Sequence, residues 1–210
     1  DAMDEYVPQG AREKWDLAQR TNGEARVGGV PEAMKGADLV IAASKPGPGV
    51  VKPEWITGMA DDSIVFTIAN PVPEIWPWEA LEAGARIVAT GRSDFPNQVN
   101  NSLGFPGIFR GTLDVRAKTI TDEMCLAAAG ELAKVAEEEG LREDFIVPTM
   151  ENEDVFAREA VAVGMKAIEQ GIARVKRSRA DLLDHARTII HHARSQARHL
   201  LQTGFVRMPP

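Results

Sequence analysis

The chain has 210 residues, 44% of them hydrophobic and 26% charged, enough to bury a core and close to the make-up of an ordinary soluble globular protein. Its net charge of −7 argues against nucleic acid as the main partner, no apolar run approaches the roughly 18 residues of a membrane span, and the opening run Asp1-Ala2-Met3-Asp4-Glu5-Tyr6 lacks the apolar stretch of a secretory signal. The single cysteine, Cys125, excludes an internal disulfide and, between Met124 and Leu126, reads as a buried, inert thiol suited to a reducing cytoplasm.

Ala11–Arg20 has the pattern of a helix stopped by Thr21-Asn22-Gly23, and Pro31–Lys35 that of a short helix opened by proline and closed by Gly36. Leu39–Ala43 is a continuous apolar run of strand length. A helix over Pro53–Met59, a strand over Ile64–Ile68, a helix over Trp78–Glu82 and a strand over Arg86–Ala89 follow. Apolar strands separated by single helices predict βαβ units and a parallel sheet buried on both faces. The expected class is therefore α/β: part of a Rossmann-like, doubly wound parallel sheet, followed by a helical C-terminal extension.

Beyond Gly91 the pattern changes. A loop leads into a helix through the Phe105-to-Ala117 region, and Thr121 caps a helix to about Glu139, with Asp122 and Glu123 in its first turn. Two further helices cover about Asp154–Gln170, ended by Gly171, and about Ser178–Gln202, ended by Gly204. Residues 174–210 hold eight Lys or Arg against Asp181 and Asp184, a charge of +6 that leaves −13 on the preceding 173 residues. The last helix carries an apolar stripe (Leu182, Leu183, Ala186, Ile189, Ile190, Ala193, Ala197, Leu200, Leu201) that must be buried against its own body, another domain or a second subunit.

In a doubly wound sheet ligands bind beyond the carboxyl ends of the strands, so the loops there carry the functional signal. The first is Ser44-Lys45-Pro46-Gly47-Pro48-Gly49, whose glycines let backbone approach a ligand closely or simply make a rigid turn. The second is Ala69-Asn70-Pro71-Val72-Pro73-Glu74-Ile75, in which two prolines restrict the backbone around the Asn70 amide, a donor and acceptor suited to a carboxamide or carboxylate. The third, Thr90 to Asn101, crowds Asn97, Gln98, Asn100 and Asn101 together. Three such loops describe one side of a cleft for a nucleotide and a small polar ligand.

The runs Ala69–Ile75 (ANPVPEI), Ala89–Asn101 (ATGRSDFPNQVNN) and Phe105–Arg116 (FPGIFRGTLDVR) resemble those of bacterial and archaeal malic enzymes; Asp38–Gly47 and Ile120–Ala129 agree in kind and order. The resemblance runs from about Asp4 to Arg174, with the GRSDFPNQ series its most specific part and residues 175–210 matching only loosely. It implies oxidation of L-malate at C2 with NAD or NADP, then decarboxylation to pyruvate with Mg²⁺ or Mn²⁺, in a cytoplasmic homo-oligomer. It also implies that Asn70 meets the nicotinamide side of the cofactor and the substrate, that Asn101 meets malate, and that Ser44 and Asn100 lie beside the cofactor, with Arg92 and Asp94 holding their loop. The same resemblance places the pyrophosphate-binding turn, the base Lys, the acid Tyr and the metal carboxylates upstream of Asp4. Tyr6 then matches a helix start and not the acid, and no catalytic residue and no metal ligand is expected within the chain.

Other readings are weaker. His185, His192 and His199 recur every seven residues on one helix, about 10 Å apart, too far to share an ion, and the acid groups Asp61-Asp62 and Glu137–Glu139 read as solvated. The residues divide into 1–118, the C-terminal part of the nucleotide-binding domain; 119–174, its helical completion; and 175–210, a basic amphipathic tail. A non-catalytic nucleotide-binding or interaction module derived from such an enzyme is the alternative, and another Rossmann dehydrogenase would not share the GRSDFPNQ run.

Overall fold

A computed structural model describes residues 12–207; the expected helix start at Ala11 and the position of Tyr6 lie outside them. The described elements follow the predicted order: α1 (Arg12–Arg20), α2 (Val30–Met34), β1 (Leu39–Ala42), α3 (Pro53–Ile56), β2 (Ile64–Thr67), α4 (Pro77–Glu82), β3 (Ile87–Thr90), α5 (Asn101–Asp114), α6 (Asp122–Glu139), α7 (Glu153–Glu169) and α8 (Arg179–Gln202). Proline stands in the first turn of α2, α3 and α4, where its missing N–H costs no helical bond.

The three strands are parallel in the order β1-β2-β3, with Val40, Val65 and Val88 in one row and Ala42, Thr67 and Thr90 in another. Right-handed crossovers between neighbouring parallel strands put α3 and α4 on one side of the sheet. There Val65 and Val88 meet Met34, Ile56, Ile75 and Ala80 in a single core. The class is the expected α/β, Rossmann-like one, but burial on both faces is not achieved. On the other face, at the edge strand β1, Leu39 and Ile41 are 48% and 60% exposed, because no described element lies over them.

The second lobe is helical. Each of α5 to α8 is capped by a side chain that accepts a first-turn N–H: Asn100 from Ser102, Thr121 from Met124, Asn152 from Asp154 and Ser178 from Asp181. Helix α5 thus begins at its Asn100 cap, several residues before the Phe105 start expected from the apolar pattern. The core of this lobe joins Val115, Met124, Ala128, Val161, Val163 and Leu182. Cys125, expected to be buried, is exposed, since Met124 and Ala128 take the inward face of α6 and Cys125 lies about 100° round the helix from Met124. The α8 stripe is only half used: Leu182 and Ala186 are buried, whereas no described residue from His191 onward is. No described helix is long and apolar enough to cross a membrane.

Candidate functional site

The loops after β1, β2 and β3 meet at the carboxyl edge of the sheet, and buried Glu74 ties the first two together. One of its carboxyl oxygens accepts the Ser44 N–H at 2.7 Å and the Ser44 hydroxyl at 3.2 Å; the other accepts the Ala69 N–H at 3.2 Å. Backbone bonds from Gly47 N to Val72 O and from Val51 N to Glu74 O, 3.2 and 3.1 Å, complete the seam. Ser44 therefore spends its donors on Glu74, and only the lone pairs of its oxygen remain for a ligand.

Gly91, just after β3, is where the second and third loops touch. The Asn70 amide lies over its Cα so closely that a Cβ there would come within 3.2 Å of both amide heteroatoms, and the Asn100 amide donates to its carbonyl at 2.6 Å. Asn70 is exposed and makes one long bond, 3.5 Å to the Ile68 carbonyl. Asn101, first residue of α5, is exposed and has no side-chain hydrogen bond among the described residues. Asn70 and Asn100 are thus brought together at Gly91, with Asn101 next in the chain. The Asn101 amide is free among the described residues and Asn70 makes only its one long bond, while Asn100 spends its amide on Gly91 and on capping α5 at the Ser102 N–H, 2.9 Å.

Arg92 and Asp94 are the loop brace anticipated from the sequence. Two parallel bonds, 2.8 and 2.6 Å, join the guanidinium to the carboxylate, and a third, 2.9 Å, reaches the Pro71 carbonyl of the neighbouring loop. Hydrogen bonds from Arg92 hold the Asp94 carboxyl below its usual range and raise the Arg92 guanidinium in turn. The guanidinium also lies 5.9 Å from the Trp76 ring centre and 5.5 Å from that of Phe95, and Trp76 stacks on Trp78 at 4.9 Å.

Two residues whose structural roles the sequence pattern did not show set this geometry. Asn97, with φ of 55°, gives its amide to the carbonyls of Val88 and Glu143 at 3.0 and 2.7 Å and accepts from Ile146 N–H at 2.9 Å. It thereby stitches the third loop to the segment before α7. The other is Glu74, which had a visible signal, an acid inside the apolar Pro73–Ile75 run at a strand end. The exposed Asn70 amide and the exposed glycine-containing loop from Ser44 offer donor and acceptor atoms of the kind a carboxamide takes, and exposed Asn101 offers an amide of its own. A metal fits less well: among the described residues no three His, Cys, Asp or Glu side chains converge to hold one.

Residues 38–168 match the family model described as the malic enzyme NAD-binding domain. A bifunctional malic/malolactic enzyme of Bacillus subtilis is 44% identical over 175 residues, 83% of this chain and 42% of that protein. An NAD-dependent malic enzyme of Geobacillus stearothermophilus is 48% identical over 159 residues, 76% and 33% of the two chains. Among solved structures, the malic enzyme of Entamoeba histolytica superimposes with a TM-score of 0.93 at 48% identity, over 97% of this chain and 42% of that one. The chain therefore spans less than half the length of each of these three.

Proposed function

The chain belongs to the malic enzyme family, and from that premise we propose that it is the NAD(P)-binding part of an enzyme that oxidises L-malate and decarboxylates the product to pyruvate. The observation that carries this reading is the meeting of Asn70 and Asn100 at Gly91 at the carboxyl edge of a parallel sheet, with exposed Asn101 next in the chain. NAD or NADP, when bound, supplies the acceptor for the hydride leaving C2 of malate. Asn70 then donates to a ligand carboxylate or carboxamide and accepts from an amide, which sets the orientation of the reacting partners. Asn101 offers its amide at the N-terminus of a 14-residue helix, where the dipole favours a carboxylate. Ser44 turns only acceptor lone pairs outward, and Asn100 closes the third loop on Gly91, the residue against which Asn70 of the second loop packs. No step is assigned to a metal held by these residues.

On this reading residues 1–118 and 119–174 form one nucleotide-binding unit with 175–210 as a tail, and proton transfer and metal binding belong to the remainder of the full-length enzyme. The 210-residue chain alone then shows no malate-dependent reduction of NAD or NADP. In the full-length enzyme, Asn70→Ala and Asn101→Ala each lower kcat/KM about tenfold or more, the effect of losing a hydrogen bond to a charged ligand worth about 1.5–3 kcal/mol, with folding nearly unchanged. Unaltered kinetics in both variants would overturn the assignment, and metal-dependent turnover by the isolated chain would overturn the division of labour.

A further inference from the structure

Glu159, in the second turn of α7, has no exposed surface, and neither of its carboxyl oxygens has a hydrogen-bond partner among the described residues. It lies in a groove that the sequence of α5 leaves open for it. A Cβ at Gly107 would overlap the Glu159 carboxyl outright, and one at Gly104 would stand 3.6 Å from its other oxygen. Gly104 is three residues along α5 from Asn101, about 4.5 Å of helix axis. The carboxyl therefore presses on the first two turns of the helix whose leading residue presents its amide to the candidate site.

We propose that Glu159, as the neutral acid, is a positioning residue that seats α5 against α7 and thereby fixes where Asn101 stands. The inference rests on the reading of Asn101 given above. A neutral carboxyl is compatible with a tight apolar interface, whereas a bare carboxylate there loses its hydration and gains no partner, so ionisation favours separation of the helices or entry of water.

The charged groups on the surrounding elements are paired with other residues. On α5, Arg110 pairs with Asp114 through one terminal nitrogen, while its buried Nε has no partner among the described residues; on α8, His185 also reaches Asp114 and Arg187 pairs with Asp154; on α7, Arg158 pairs with Glu131 and Glu138 of α6. None forms an ion pair with Glu159 among the described residues. Burial alone pushes its carboxyl up to about 8, so the seat holds at neutral pH and is lost in mild alkali.

Two measurements test this. The first is the protection of the Leu103–Gly107 backbone amides against hydrogen exchange in the 210-residue chain, corrected for intrinsic rates. In the unaltered protein protection falls about tenfold between pH 7 and pH 9, while Glu159→Gln and Glu159→Met, which cannot ionise, keep it flat. The second is the pH profile of kcat/KM for malate in the full-length enzyme that carries this domain. A fall above about pH 8 in the unaltered enzyme moves up by more than one pH unit in both variants, whatever their absolute rates at pH 7. Protection independent of pH in the unaltered chain, or an alkaline fall at the same pH in all three proteins, overturns the proposal. A full-length enzyme with no malate turnover at any pH would instead sink the reading of function, and the exchange measurement would still decide whether Glu159 seats α5. Should neither variant fold, the pH dependence of exchange in the unaltered chain decides alone.

Discussion

Among the described residues each lobe buries one glutamate completely, and the two are used in opposite ways. Glu74, in the sheet lobe, accepts three hydrogen bonds from Ser44 and Ala69 and so clamps two strand-end loops at the candidate site. Glu159, in the helical lobe, accepts none among the described residues and is enclosed by glycines of the facing helix. The sheet lobe holds irregular backbone in place with directed polar bonds, because a loop has no ladder of its own to satisfy its N–H groups. The helical lobe has satisfied backbone already and gains rigidity from close approach of α5 to α7, which needs small residues more than polar ones. Positioning at the site therefore depends on hydrogen bonds in one lobe and on packing in the other.

Filling the glycine seam is the most severe test of the division between the lobes. A Cβ at Gly111 would overlap the Ala160 carbonyl oxygen and stand 2.8 Å from the Val163 Cβ, and backbone cannot yield as a side-chain tip can. Gly111→Ala is expected to cost about 3 kcal/mol or more, a fall in Tm of about 6–12 °C for a domain of this size. At Gly104 the added methyl meets neighbours at 3.6 and 3.7 Å, ordinary contact distances. Gly104→Ala should therefore be neutral, or stabilising by up to about 1 kcal/mol from helix propensity. Equal Tm values for the two variants would show that the seam is not set by its glycines.

The counterpart in the sheet lobe is Glu74→Ala. It strands the N–H groups of Ser44 and Ala69 and the Ser44 hydroxyl, at a cost of about 2–3 kcal/mol once water entering the gap is allowed for. Urea unfolding should show the loss, and exchange of the Ser44 and Ala69 amides should accelerate while those of α5 do not. Acceleration in both lobes together would mean that they unfold as one unit and that the clamp is not local.

The two lobes also differ in how far they could be read from the sequence. The strands were legible because Leu39–Ala42, Ile64–Thr67 and Ile87–Thr90 are short apolar runs bounded by turn residues. The ends of those strands pointed to the loops that hold Asn70, Asn97, Gln98, Asn100 and Asn101, and it took the resemblance to malic enzymes to single out Asn70, Asn100 and Asn101 among them. The start of α5 was not legible, since Asn100-Asn101-Ser102 are poor helix formers and only the cap at Asn100 shows that the helix begins there. Exposure of Leu39 and Ile41 depends on which neighbours are present and not on local pattern, and that of Cys125 on which face of α6 turns inward. Glu159 was hidden most thoroughly: an acid within Phe156-Ala157-Arg158-Glu159-Ala160 looks like part of a solvated helix face, and nothing local reveals that Gly104 and Gly107 sit across from it.

A smaller effect separates the lobes through pH. The Glu159 carboxyl in the folded chain is raised to about 8, above its ordinary value of 4.5. The folded state therefore binds this proton more tightly than the unfolded state. The contribution is fully present below about pH 4.5, is lost as pH rises toward 8, and changes no further beyond it. The slope in between is at most about 1.4 kcal/mol per pH unit. Glu159→Gln should accordingly gain about 2 kcal/mol on the unaltered chain between pH 6 and pH 8, read as a widening gap in urea midpoints. A constant gap across that range would show that the buried carboxyl does not titrate there.

The smallest effect is expected at the far end of α8, and it tests whether packing confers stability only where it is made. Leu182 and Ala186 are buried against α5 and α7, and Leu182→Ala should cost about 3 kcal/mol as a cavity in that core. From His191 onward no described residue is buried, and Leu200, Leu201 and Phe205 are 41%, 39% and 85% exposed. Among the described residues, the one ion pair this stretch returns to the body, Arg194 with Glu153, lies at the surface, where such pairs are worth about 0–1 kcal/mol. Ending the 210-residue chain after Ile190 should thus change its stability by no more than about 0.5 kcal/mol, although it removes much of the apolar stripe. A loss comparable to that of Leu182→Ala would mean that the overhanging half of α8 folds back onto the body in solution.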